Sequence, residues 1–338
     1  MTVTGGSGTV GFSNPGWWGI DVKVQPYTGS FYVKGDYSGN FTGSFLSSSR
    51  EVLGSTDIKS ISTATGWTQH NFTLTPTKAA ANSNNTFTVT WAASGAKGDL
   101  SFNLISLFPP TYKDRKNGMR KDLMEALAEL KPSLLRFPGG NNMMGQAPPN
   151  HWKWQNSIGP LKDRAGRVGT WDYHNTDGLG LVEYMHWCED LNMEPLLAAP
   201  AGLYLGGSVV AQNALQPLVD DFLNELEFLM GAETTKYGAL RASLGYPQPW
   251  KVNMVEIGNE DNLNGGTASY NSYRFSMFYN QIKAKYPNMT VIASFEAPNL
   301  PGDAAKDYHT YNKPNAMISD FTKFDKADRK HKVIIGTF

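Results

Sequence analysis

At 338 residues the chain is longer than one small domain needs and fits a barrel, alone or with an appended module. Thirty Lys and Arg residues balance thirty Asp and Glu, so neither nucleic acid nor an anionic membrane surface is favoured, and a neutral partner is expected. The one cysteine, Cys188, excludes an internal disulfide, and no apolar run reaches the roughly 18 residues of a membrane-spanning helix.

The first ten residues, MTVTGGSGTV, lack a basic region followed by an apolar one, so no secretion signal is expected within the chain. Up to about residue 98, short segments such as GSFYVKGDY, FTGSFLSSS, WTQHNFTLTP and NTFTVTWAA alternate apolar and polar residues between Gly, Ser, Asn and Thr clusters. Period-2 patterning with turn punctuation predicts a β-sandwich over 1–98, similar to a carbohydrate-binding module. In GWWGI, alternation would send Trp17 and Trp18 to opposite faces and leave only one exposed, where it could stack on a sugar ring. Three of the four N-x-Ser/Thr sequons, at Asn40, Asn71 and Asn84, fall in this region, and the fourth is Asn288. They are compatible with a glycosylated exterior.

From residue 99 to 338 strands and helices are expected to alternate. SFNLISLF reads as a buried strand, and GMRKDLMEALAELK as a helix with Met119, Leu123, Leu127 and Leu130 on one face. Further strands are expected at 133–137, 194–199, 251–257, 290–294, 307–311 and 332–336, with helices in TDGLGLVEYMHWCEDL, AQNALQPLVDDFLNELEFLMG and SYNSYRFSMFYNQIKAKYP. On the second of these helices' predecessor, Cys188 sits where a small inert thiol would be buried. Strand–helix alternation implies a parallel sheet, which places the chain in the α/β class as a TIM-type barrel with about seven of its eight strands.

Barrel enzymes carry their chemistry where strands end, and polar residues cluster there: Arg136 and Asn141, Asn259 and Glu260, His309 and Tyr311. No G-x-G-x-x-G opens a helix after the first strand, and the six histidines show no H-x-x-x-H spacing, so neither a dinucleotide nor a metal is expected and no cofactor is assigned.

The segments LLRFPGGNN, GRVGTWDYHNTDGLGLVEY, VEIGNED and DYHTY, in that order, resemble the characteristic segments of fungal-type glycoside hydrolase family 51, the α-L-arabinofuranosidases. VGFSNPGWWGI and ISLFPPTYKDRKNGMR extend the resemblance to the N-terminal part. It implies a (β/α)8 barrel and a retaining mechanism that removes terminal α-L-arabinofuranosyl groups from arabinoxylan or arabinan, with an arabinose-containing plant polysaccharide or oligosaccharide as partner and an extracellular, secreted protein. Carried over by position, Glu260 matches the acid/base and Asn259 the amide that holds the 2-hydroxyl. Asn141, His309, Tyr311 and Trp171 match sugar-binding positions, and the even spacing of His309 and Tyr311 puts both on one strand face. Glu256, four residues before Glu260, is expected to be a buried partner for a basic residue.

One position departs from the family. Where its nucleophilic Glu stands, this sequence has Thr337, followed by Phe338. A retaining glycosidase needs two carboxylates about 5–5.5 Å apart, and a threonine hydroxyl without a base is a poor substitute. Glu296 is the nearest spare carboxylate. The chain is therefore read as a piece of a longer enzyme, ending before the nucleophile, the eighth strand and a C-terminal domain. Two other classes stay open: a carbohydrate-binding protein without turnover, and another retaining barrel glycosidase such as an endoglucanase or endoxylanase.

Overall fold

The computed structural model describes residues 1–171 and 173–337. It divides into two compact units, Met1–Glu129 and Leu130–Phe338. No helix among the described residues is long and apolar enough to cross a membrane.

The first unit holds two four-stranded antiparallel sheets. One runs Thr2–Val3, Leu100–Phe108, Tyr27–Lys34, Thr68–Leu74, and the other Thr9–Asn14, Thr86–Ala92, Asn40–Leu46, Val52–Lys59. Alternation builds the core: in Tyr27–Lys34 every second residue, Tyr27, Gly29, Phe31 and Val33, is buried while the others turn outward. Phe31, Phe41, Trp91 and Phe102 meet at the centre, each burial contributing roughly 1.5–3 kcal/mol.

Three expectations are corrected here. The strand expected to open the barrel at 101–108 is a sandwich strand, Leu100–Phe108, paired antiparallel with Tyr27–Lys34 from Lys34↔Ser101 to Thr28↔Phe108. Its apolar run satisfies either environment, and the antiparallel partners on both sides decide between them. In the helix Lys121–Glu129 the buried residue is Met124, while Leu123 and Leu127, and Leu130 just beyond, are exposed. Trp17 and Trp18 are both exposed, because Gly16 (φ 73°), Trp18 (φ 60°) and Gly19 (φ 98°) form a turn in place of a strand.

The second unit is an incomplete (β/α) barrel. Six parallel strands lie in the order Val333–Thr337, Ala305–His309, Thr290–Ala293, Met254–Ile257, Glu194–Ala199, Leu134–Phe137, so the first and last of these form the sheet edges. Alternation sorts their residues onto two faces. Leu197, Ala199, Val255, Ile257, Val291 and Ala293 pack into a core with residues of helices Leu181–Leu191, Gln216–Met230 and Phe275–Lys285. Leu196, Ile292 and Ala305 form a small cluster of their own with Met254 and Ile334. By the same alternation Arg136, Glu256, Asp307 and His309 share this second face, on which polar groups lie beyond the apolar ones. Cys188 is buried in the helix Leu181–Leu191, and burial pushes its thiol up to about 12, as an inert thiol requires.

Candidate active site

Strand Met254–Ile257 ends in Gly258, Asn259, Glu260 and Asp261, and the turn has demanding geometry. Gly258 has φ 89°, and a Cβ there would lie 1.7 Å from Asp261 Oδ2, so only glycine fits. Glu260 also takes a left-handed conformation, φ 48°, which is uncommon for a residue with a side chain. Strain of this kind persists only where the surroundings fix it.

Asp261 supplies that fixing. Fully buried, it accepts hydrogen bonds from Asn259 N at 2.9 Å and Ser294 Oγ at 3.0 Å and is ion-paired with Arg274. Arg274 is equally buried and donates further to Ala201 O, Gly266 O and Ser269 Oγ. It belongs to a single turn of π-helix, Tyr270–Arg274, whose Tyr270 hydroxyl donates to Ile257 O at 2.6 Å. The wider turn brings both side chains beneath the strand end.

Glu256 meets Arg136, which donates to both its carboxylate oxygens and, at 3.0 Å, to Asn259 Oδ1. Asn259 Nδ2 then donates to Asn141 Oδ1 at 3.0 Å. Arg136 thus sets which way the Asn259 amide points, and Asn259 does the same for Asn141. Gly139 leaves room for the guanidinium, since a Cβ there would lie 2.6 Å from Arg136 Nη1. Burial pushes Glu256 up to about 7 against the pull of Arg136, with the Asp307 carboxylate beside it adding to the rise.

Glu260 stands at the rim with its side chain 17% exposed. Its Oε1 accepts the Tyr311 hydroxyl at 3.0 Å and lies 2.9 Å from His309 Nδ1. Oε2 has no hydrogen bond to a described residue. The other His309 nitrogen, Nε2, lies 2.8 Å from Asp307 Oδ2, and Asp307 Oδ1 accepts Gly336 N at 2.7 Å. A ring with a carboxylate oxygen at each nitrogen can donate to both only as imidazolium. Burial would lower the His309 pKa, but its bonds to Asp307 and Glu260 outweigh this and raise it. Burial likewise works to raise Asp307, yet the His309 bond and charge and the Gly336 N–H bring it below the usual carboxylate range. Glu260 also lines a cavity of about 380 Å³ with Asn262, Leu263, Ser294, Phe295, Glu296, Asp307, Tyr308, His309 and Tyr311.

Glu256, Asp307 and His309 bring ligand-type atoms within 4.8 Å of one another. Glu256 already receives both donors of Arg136 and His309 spans two carboxylates, so these two groups supply the positive charge a metal would bring.

The structure therefore brings together five of the residues singled out in the sequence, Glu260, Asn259, Asn141, His309 and Tyr311, together with Arg136 and Glu256. Trp171 is exposed in the turn between the paired segments Arg167–Val168 and His174–Asn175, and the next residue, Asp172, lies outside the described residues. That ribbon is tied to the Asn141 segment by reciprocal Asn142–Asn175 amide bonds of 3.0 Å. Thr337 pairs with His309 across the last two strands, and Phe338 lies outside the described residues. Asp307 was not anticipated, though its even spacing from His309 is a readable signal.

Residues 126–329 match the family described as the alpha-L-arabinofuranosidase 1 domain. The chain is 44% identical over 342 residues to alpha-L-arabinofuranosidase A of Aspergillus kawachii and, equally, to that of Aspergillus niger, covering 98% of this chain and 54% of each relative. An arabinose-bound structure of the MgGH51 α-L-arabinofuranosidase superposes with a TM-score of 0.90 at 40% identity, over 98% of this chain and 54% of that one. The chain thus spans about half the length of these relatives. On these matches it belongs to the α-L-arabinofuranosidases of glycoside hydrolase family 51.

Proposed function

We propose that this chain carries the sugar-recognition and acid/base half of an enzyme that removes terminal α-L-arabinofuranosyl groups from arabinose-containing polysaccharides or oligosaccharides, such as the hemicellulose arabinoxylan, by double displacement. The observation that carries the reading is the posture of Glu260. His309 and Tyr311 hold Oε1, which leaves Oε2 to carry the proton that passes to the departing alcohol. Asn259 and Asn141, oriented by Arg136, are the amides that grip the arabinosyl hydroxyls, and Trp171 closes that side. Covalent chemistry needs a second carboxylate about 5–5.5 Å from the first, and Thr337 stands where the family nucleophile would be. Turnover is therefore assigned to a protein that supplies that group.

A second reading, arabinose binding without turnover, is favoured by Thr337. The endoglucanase or endoxylanase reading has less support, because the residues lining the Glu260 cavity include no tryptophan. We also place the protein outside the cell, since the asparagines of all four sequons are exposed, and assign sugar binding to the sandwich through its exposed Trp17–Trp18 pair, whose rings are 6.3 Å apart.

The test pairs binding with turnover. Arabinose is expected to bind the chain, and binding is expected to weaken at least about tenfold in Asn259→Ala, the loss of roughly one buried charge-supported hydrogen bond. Nitrophenol release from an aryl α-L-arabinofuranoside is expected only when the chain is extended through the family's nucleophile segment. Failure of both the chain and its extension to bind arabinose would overturn the reading.

A further inference from the structure

The cavity beside Glu260 has a second carboxylate on its wall for which the proposed chemistry has no use. Glu296 follows strand Thr290–Ala293 and lines the same space of about 380 Å³, at the small end of ligand-sized clefts. Lys306 Nζ approaches its Oε1 at 3.9 Å and Lys323 Nζ its Oε2 at 3.6 Å, both too long for a hydrogen bond. No described residue donates a hydrogen bond to this carboxylate. Lys323 is also shared with the Tyr308 ring, over which it lies at 4.5 Å. The two cations thus fix where the carboxylate sits while leaving its lone pairs available.

An ionised carboxylate is an acceptor only, with room for about four hydrogens, and two adjacent hydroxyls of a sugar match its two oxygens. An anionic ligand is disfavoured, because Glu260 and Asp307 line the same space. Two exposed apolar groups, the Tyr311 ring at 69% and Leu263 at 47%, complete the wall and suit the C–H face of a pyranose.

The side on which this cavity lies follows from proton transfer. Glu260 must reach the oxygen joining the arabinosyl group to the alcohol it leaves behind, so the two sugars flank Glu260. Asn259 and Asn141, which grip the arabinosyl group in the function proposed above, do not line this cavity. We propose that it receives the leaving-group sugar, a neutral pyranose with vicinal hydroxyls, and that Glu296 is the residue that recognises those hydroxyls. The inference rests on the assignment of Glu260 and the two asparagines.

Two uncleavable probes separate the two ideas: L-arabinose for the asparagine side and xylotriose for the Glu296 side, each titrated against the 338-residue chain by ligand-observed NMR, which reads millimolar constants. Both are expected to bind. The ratio of xylotriose to arabinose affinity is expected to fall at least about tenfold in Glu296→Ala and less in Glu296→Gln, which keeps one acceptor. An unchanged ratio in Glu296→Ala overturns the role of Glu296. If arabinose binds and xylotriose does not, the subsite is wrong while the proposed function stands. If arabinose itself fails to bind, both fall together.

Discussion

Glu260 and Asp261 are neighbours in the chain, yet the turn after strand Met254–Ile257 sends one to the rim of a cavity and the other into the core beside Arg274. The buried acid uses both oxygens on protein partners, whereas the acid at the rim has one oxygen held and one without a partner among the described residues. An acid whose lone pairs are all used holds structure together, and one with a spare oxygen in a sheltered place can exchange a proton with a ligand. The fixed partner makes the strained one affordable: Gly258 and Glu260 stay in left-handed conformations because Asp261 ties the turn to Arg274 and Ser294.

The largest effect that tests this contrast is loss of the buried partner. Asp261→Ala strands Arg274 as a buried charge and is expected to destabilise the second unit by about 3–5 kcal/mol in urea unfolding, whereas Glu260→Gln costs about 1 kcal/mol or less. Similar losses in the two variants would break the comparison. Next in size is Gly258→Ala, which places a Cβ against Asp261 Oδ2 and forces a positive φ on alanine, at a cost of about 2–3 kcal/mol. A tolerated alanine would show that the turn is not fixed as described.

A third carboxylate sharpens the rule. Glu225, in helix Gln216–Met230, is fully buried, its Oε1 has no hydrogen-bond partner, and burial raises its pKa well above the ordinary value, with Asp221 adding to the effect. It is protonated in the folded state at neutral pH and ionised in the unfolded one. Its contribution to stability is therefore present below the ordinary Glu pKa and lost as pH rises. Glu225→Gln keeps the shape and removes the titration, so it is expected to raise the unfolding free energy at pH 7 by about 1 kcal/mol or more and to flatten the fall on the alkaline side. A destabilised variant would mean that Glu225 has a partner.

The smallest effect concerns His309 and Asp307. Asp307 is depressed, so its contribution is present above the unfolded value near 3.9 and lost as pH falls, while His309 is raised, so its contribution is present below the unfolded value near 6.5 and lost as pH rises. Together they stabilise most between about pH 4 and 6.5. His309→Gln is expected to reduce the stability difference between pH 6 and pH 8, measured by urea unfolding, and an undiminished difference would place the titration elsewhere.

Much of this was legible in the sequence because alternation in a strand is a local rule. It places Glu256 with Arg136's partner strand, puts His309 and Tyr311 on one face, and includes Asp307 once the spacing is followed back. What escaped depends on pairings that no local rule encodes. SFNLISLF carries the same apolar pattern whether it opens a barrel or lies in a sandwich, and its antiparallel partners decided. The stripe Leu123, Leu127, Leu130 was periodic, yet the helix buries Met124. Arg274 finds Asp261 through a π-turn that shifts the helical phase, and no spacing in SYNSYRF announces it.

The central claim is that Glu260 stands ready to protonate the oxygen on the anomeric carbon of a bound arabinosyl group. A crystal structure of the chain soaked with arabinose tests it most directly. The account predicts the sugar hydrogen-bonded to Asn259 and Asn141, with its anomeric oxygen within about 3 Å of Glu260 Oε2. Arabinose bound away from that carboxyl, or a Glu260 side chain turned out of the cavity and released from His309 and Tyr311, would contradict it.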